Sequence, residues 1–250
     1  MEQEQLTSPF VVQIAGHAIA IGYVDDFIRT QYKDYMAPEG AVPEYTTDIP
    51  EDDIKDFASL SGIQHPRYLM LHAHIANWLL TRNVMHIHAS ALAYGGKAYL
   101  FAAPSGTGKS THTKLWRETF GDNVTMICDD KPFLRFEPDG IICCGSPWNG
   151  KHGIGSNIEA PLGAICSLRQ GAANSIARLS AGEAFFEIHR QVVCLNNSSE
   201  AEHVHVLMDR LCHQTPVFCL TCTATPEAAR LAREVLTQDV QSHHPATATP

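Results

Sequence analysis

Short apolar runs separated by turn residues open the chain. Residues 9–22 read Pro-Phe-Val-Val-Gln-Ile-Ala-Gly-His-Ala-Ile-Ala-Ile-Gly, which predicts two short strands joined by a turn at Ala15-Gly16-His17. From Met36 to Asp53 prolines and acids erase the periodicity, leaving room for one edge strand around Tyr45. The pattern changes at Pro66: up to Leu80 there is no further breaker, and the apolar positions suffice for a buried helix that starts on its proline.

After that helix the strand period returns. His86 to Ala93 predicts one strand, Tyr94-Gly95-Gly96 a turn, and Lys97 to Ala102 a second, buried strand. Thr111 to Trp116 has helical composition, Gly121-Asp122-Asn123 a turn, and Val124 to Cys128 a strand ending at Asp129-Asp130. Short strands continue to Cys144 around a hairpin turn at Glu137-Pro138-Asp139-Gly140, and Leu162 to Leu168 is a further strand. Ala181 to Val193 and Ala201 to Cys212 read as helices, Val217 to Thr221 as a strand, and Pro226 to Leu236 as an amphipathic helix capped by Thr225. The expected organisation is an α/β protein with a mixed sheet. Residues 1–60 would form a small N-terminal α+β lobe, 61–237 the core that carries the phosphate loop and 238–250 a flexible tail.

Composition narrows this reading without redirecting it. The 250 residues are enough for one substantial core, and 44% hydrophobic with 18% charged residues is ordinary for a globular protein. A net charge of −9 argues against nucleic acid as a partner. With the acidic opening Met-Glu-Gln-Glu-Gln a secretory leader is not expected, and every apolar run falls short of the ~18 residues that a membrane span needs. With eight cysteines mostly in strand-like segments, reduced thiols in a cytoplasmic protein are expected.

Between the buried strand and the following helix stands Ala103-Pro104-Ser105-Gly106-Thr107-Gly108-Lys109-Ser110, a phosphate-cradling loop in its required strand–loop–helix setting. Backbone N–H groups of Ser105, Gly106, Thr107 and Gly108, with Lys109, Ser110 and Thr111 at the helix start, are expected to wrap a polyphosphate. Lys109 would reach the β- and γ-phosphates and the Ser110 hydroxyl would ligate Mg²⁺. Asp129 and Asp130 end the next strand, so one carboxylate can serve Mg²⁺ while the other accepts the proton of an attacking hydroxyl. Asp130 is expected as the metal's second ligand beside Ser110, with the division of labour between Asp129 and Asp130 left open by the pattern.

His88, two residues after His86 on a strand paired with the loop-feeding strand, is expected to share its face and to orient the base. His112 reads as a packing or solvent-facing residue. Gly145 to Lys151, Gly-Ser-Pro-Trp-Asn-Gly-Lys, is expected to cover the phosphates or the acceptor, with Lys151 countering developing charge. The Cys219-Leu-Thr-Cys222 spacing and the three His-x-His pairs at 72/74, 86/88 and 203/205 lack the partners a zinc set needs.

Taken together, the His-bearing strand, Pro-Ser-Gly-Thr-Gly-Lys-Ser-Thr-His, Cys-Asp-Asp-Lys-Pro and Gly-Ser-Pro-Trp-Asn-Gly-Lys-His resemble the HPr kinase/phosphorylase superfamily. That superfamily shares its nucleotide fold with ATP-dependent phosphoenolpyruvate carboxykinase. The resemblance is strongest from Met85 to Leu168 and is narrower still to short bacterial HPr-kinase-like serine kinases. It implies a kinase that uses ATP and Mg²⁺ to phosphorylate a serine hydroxyl on a small protein or peptide. It also implies that His88, Asp129 and Asp130 form the catalytic centre. The chain departs from the general loop motif at Ala103, which fits if that residue keeps a negative φ.

Overall fold

The computed structural model describes residues 10–61, 65–150, 152–192 and 198–242. β1 (Phe10–Ile14) and β2 (His17–Ile21) form the expected hairpin, and β3 (Tyr45–Thr47) adds in parallel to β2. Alternation buries Val12, Ile14, Ile19 and Ile21. The helices of this part, whose positions the sequence reading did not assign, are α1 (Asp26–Tyr32) and α2 (Glu51–Ser61). The first is started by Asp25, whose carboxylate accepts the Ile28 N–H at 2.7 Å. α3 (Pro66–Leu80) has the predicted bounds and buries Leu71, Ile75 and Leu79 along one stripe.

The continuous strand expected from His86 to Ala93 is two strands. β4 (Val84–His86) pairs with β8 (Phe133–Glu137), while β5 (Ala89–Tyr94) lies between β6 (Lys97–Ala102) and β7 (Val124–Cys128). The chain changes partners across Ile87 and His88, so His86 and His88 do not share a sheet face. Backbone bonds still hold the crossing, from Ile87 N to Pro132 O (3.2 Å), from Ala89 N to Asp130 O (3.1 Å) and from His88 N to Gln191 O (2.8 Å). Apolar character alone could not reveal the break, because β4, Ile87 and the first four residues of β5 are all buried.

The remaining elements are α4 (Lys109–Phe120), β9 (Gly140–Cys144), β10 (Glu159–Gln170), β11 (Ser175–Arg178), α5 (Ala181–His189), α6 (Ser198–Gln214), β12 (Val217–Cys222) and α7 (Pro226–Ser242). Of these β11 was not anticipated, and α7 runs past the expected start of the tail; residues 243–250 lie outside the described part. The nine-stranded sheet has the order β4-β8-β9-β10-β6-β5-β7, with β12 on β10 and β11 on β12. It is an α/β fold with a curled mixed sheet: β10 is parallel to β6 and β12, and the other pairings are antiparallel. β10 begins beside β9 through Glu159–Pro161 and, after a bulge between Leu162 and Ala164, continues beside β6. Gly163 fits there because a Cβ would meet Lys97 and Tyr99 side chains at 3.2 Å.

Helices cover both faces of this sheet. Ala184, Ile188, Leu207, Met208 and Leu211 of α5 and α6 bury one face, and Trp116 of α4 with Ala229, Ala232 and Leu236 of α7 buries the other. A further cluster joins the N-terminal strands and α3 to Phe133, Cys144 and Trp148. The described cysteines are free thiols, four of them fully buried; Cys194 lies outside the described residues. Among the described residues no helix is long and apolar enough to cross a membrane.

Candidate functional site

β6 runs out at Ala102, and after six intervening residues α4 begins at Lys109. The turn between them is possible because Gly106 and Gly108 adopt φ of 80° and 118°, where a side chain would be strained. Ala103 is absent from the residues of positive φ, as its departure from the motif requires. Gly108 caps α4 without any side-chain bond, so the amides of the helix's first turn face outward unsatisfied by a cap. Lys109 is buried, and its Nζ donates to Ala103 O at 2.8 Å while lying 3.1 Å from His88 Nε2. Burial lowers its pKa, and the nearby Asp130 and Asp129 carboxylates oppose that shift.

The two acids are divided by direction, as neighbours at a strand end should be. Asp129 is buried and accepts a short hydrogen bond from the Ser90 hydroxyl; Ser90 Oγ is 3.2 Å from Thr113 Oγ1 on α4. Asp129 therefore belongs to the α4 side, and among the described residues it has no ion pair. Asp130 turns toward His88 and Lys131: its Oδ1 is 3.3 Å from His88 Nε2, and its Oδ2 accepts from Lys131 Nζ. Burial would raise the Asp130 pKa, but the hydrogen bonds from His88 and Lys131 outweigh it and hold the carboxyl at about 2. His88 Nε2 thus sits between an ammonium, from which it must accept, and a carboxylate, to which it must donate. One nitrogen serves one of them at a time.

The segment after β9 fixes the acidic turn. Ser146 Oγ donates to Lys131 O at 2.6 Å, and Asn149 Oδ1 accepts the Asp129 N–H at 3.3 Å while its Nδ2 donates to Ser146 O at 3.3 Å. Trp148 is no lid: it is 1% exposed, and its Nε1 donates to Tyr68 O at 3.1 Å while Tyr68 Oη donates to Pro147 O at 2.6 Å. These reciprocal bonds latch α3 to the segment. Lys151, expected at its end, lies outside the described residues.

A cavity of about 700 Å³ brings the parts together, lined among others by Ser105, Gly106, Gly108, Lys109, Ser110, Thr111, His88, Asp129 and Asp130. Thr107 instead faces a neighbouring cavity of about 460 Å³, which shares Gly106, Gly108 and Thr111 and extends to Gln170 and Cys222. Lys131, Asn149, Tyr68 and His152 also line the larger space, and sequence reasoning assigned none of them a role. Ser90 was missed as well, since a serine in a strand carries no signal until its partner is known. Lys131, Asn149 and His152 stood inside quoted motifs, so their spacing was visible and their direction was not.

The other candidate clusters do not assemble. His72 and His86 rings approach to 4.8 Å beneath Trp148, and burial lowers their pKa values to about 2 and about 4. Among the described residues no group of three or more His, Cys, Asp or Glu side chains is placed to hold a metal ion. His112 is 3% exposed and packs against Phe101, which makes it a core residue.

No protein-family model matches the chain. No curated protein matches it either. Among solved structures, the Hpr(Ser) kinase/phosphatase from Coxiella burnetii is distantly similar in fold. It has 13% sequence identity and a TM-score of 0.37, over 65% of this chain and 99% of that one.

Proposed function

We propose that the chain is an ATP- and Mg²⁺-dependent phosphotransferase that moves the γ-phosphoryl group to a serine-type hydroxyl of a small protein or peptide, in the cytoplasm. The observation that carries the reading is the convergence on one cavity of an uncapped helix start with its buried lysine, two carboxylates and a histidine. Polyphosphate fits the loop because nothing lies within 4 Å of where a Cβ would stand at Gly106 or Gly108. Divalent metal fits beside α4 because Asp129 is a buried carboxylate with no ion pair among the described residues. Ser110 and Asp129 would hold it, in place of the Ser110 and Asp130 pair read from sequence. When bound there, Mg²⁺ would neutralise negative charge on the polyphosphate.

The chain's own groups do the rest. Loop amides and Lys109 orient the phosphates, and Asp130 accepts the proton of the acceptor hydroxyl. The acceptor oxygen forms a bond to the γ-phosphorus as the bond from that phosphorus to the β,γ-bridging oxygen breaks, and ADP leaves. When Lys109 turns to phosphate, His88 Nε2 is released to donate to Asp130 and hold it in place.

The test is transfer of ³²P from γ-labelled ATP with Mg²⁺ into a panel of serine peptides and small carrier proteins. Lys109→Ala, Asp129→Asn and Asp130→Asn should each lower transfer by about 100-fold or more. ATP that binds in the wild type without labelling any acceptor would instead mark a nucleotide-binding regulator.

A further inference from the structure

Lys131 is a charged group in the cavity that the phosphotransfer mechanism leaves unused. Among the described residues lining the cavity, the only ammonium groups are those of Lys109 and Lys131. They occupy opposite ends of a relay: Lys109 touches His88, His88 touches Asp130 Oδ1, and Lys131 touches Asp130 Oδ2. Lys109 is tied back to the phosphate loop through Ala103 O. Lys131 has its backbone fixed by Ser146, while its side chain is 29% exposed against 24% for Asp130. Both partners of this ion pair are partly exposed, so an arriving carboxylate can compete with Asp130 for the ammonium.

We infer that Lys131 recognises the acceptor by binding a carboxylate that adjoins the hydroxyl to be phosphorylated. This deepens the phosphotransferase reading and rests on it. In a chain of net charge −9, with Asp129 and Asp130 in the cavity, an anionic acceptor needs a local cation, and Lys131 is placed where the acceptor must arrive. A carboxylate that draws the ammonium away leaves Asp130 Oδ2 open to the neighbouring hydroxyl. A neutral acceptor leaves that oxygen occupied. Recognition and access to Asp130 are then a single exchange of partners.

Three probes separate the sources of the carboxylate: a short peptide ending in serine with a free carboxylate, the same peptide amidated, and an amidated peptide with aspartate after the serine. Steady-state ³²P transfer and calorimetric binding without nucleotide are measured for wild type, Lys131→Met and Lys131→Arg. One or both carboxylate peptides should be preferred by the wild type. Lys131→Met should lower the ratio of kcat/KM for the preferred carboxylate peptide to that for the amidated serine by about 10- to 100-fold, and Lys131→Arg should restore most of the preference. Equal losses on all three peptides would reduce Lys131 to a support for Asp130 and overturn the inference, as would preference for the neutral peptide. If no peptide is labelled, the phosphotransferase reading fails on its own account, and calorimetry still decides. Binding of a carboxylate peptide that depends on Lys131 upholds recognition, and absence of that binding ends it.

Discussion

Trp116 Nε1 donates to His112 Nε2 at 3.1 Å, so the buried imidazole must be neutral to accept, and its Nδ1 has no partner among the described residues. Burial pushes the His112 pKa down to about 4, below the ordinary value of roughly 6.5 in an unfolded chain. A depressed folded-state pKa means that the unfolded chain binds the extra proton first. The stabilisation is therefore complete above pH 6.5 and is lost as pH falls toward 4, by about 2–3 kcal/mol for this residue. Urea unfolding at pH 7.5 and 4.5 should show that loss, and His112→Gln, which keeps an acceptor for Trp116, should flatten part of it. An unchanged slope in the variant would remove His112 from the acid response. The sequence left His112 between packing and solvent for a physical reason. The buried residues of α4 are Lys109, His112, Thr113 and Trp116, three of them polar, so hydrophobic periodicity could not mark the inward side.

Gly155 forms an isolated bridge with Cys128 and faces the side chain of Asn149, so that a Cβ would lie 2.1 Å from Asn149 Oδ1. Gly155→Ala should therefore push Asn149 off the Asp129 N–H, at a cost of about 1–3 kcal/mol in stability. It should also lower phosphotransfer more than it lowers ATP affinity. Denaturation midpoints, nucleotide titration and transfer rates on the same variant separate these effects; unaltered transfer would free the acidic turn from any dependence on Asn149. Elements bounded by strong punctuation were legible: the glycine turns at 15–16 and 95–96 and the proline at 66 mark β1–β2, β5–β6 and α3. What a run of apolar residues does not encode is its partner. That is why the passage from β4 to β5 looked like one strand, and why β11, with its exposed residues and no apolar signature, went unseen.

A boundary after residue 60, drawn from composition, passes through one hydrophobic cluster, because Ile14, Ile19 and Ile28 share their burial with Ile75, Phe133 and Trp148. Unfolding followed by tryptophan fluorescence and by far-ultraviolet circular dichroism should give a single coincident transition. Two separated transitions would mark the N-terminal segment as an independently folding lobe. The order strand, loop, helix, acidic strand end could be read along the chain, since each step is local. The curl of the sheet could not, for it depends on β10 changing neighbours partway along its length.

His88 holds its place partly through a backbone bond to Gln191, a residue of the turn that follows α5 and lies outside the larger cavity. That bond makes the turn a remote handle on His88. A compound seated against the end of α5 would shift the imidazole relative to Asp130 while leaving the phosphate loop intact. Under the proposed phosphotransfer, its kinetic signature would be inhibition that added ATP does not relieve.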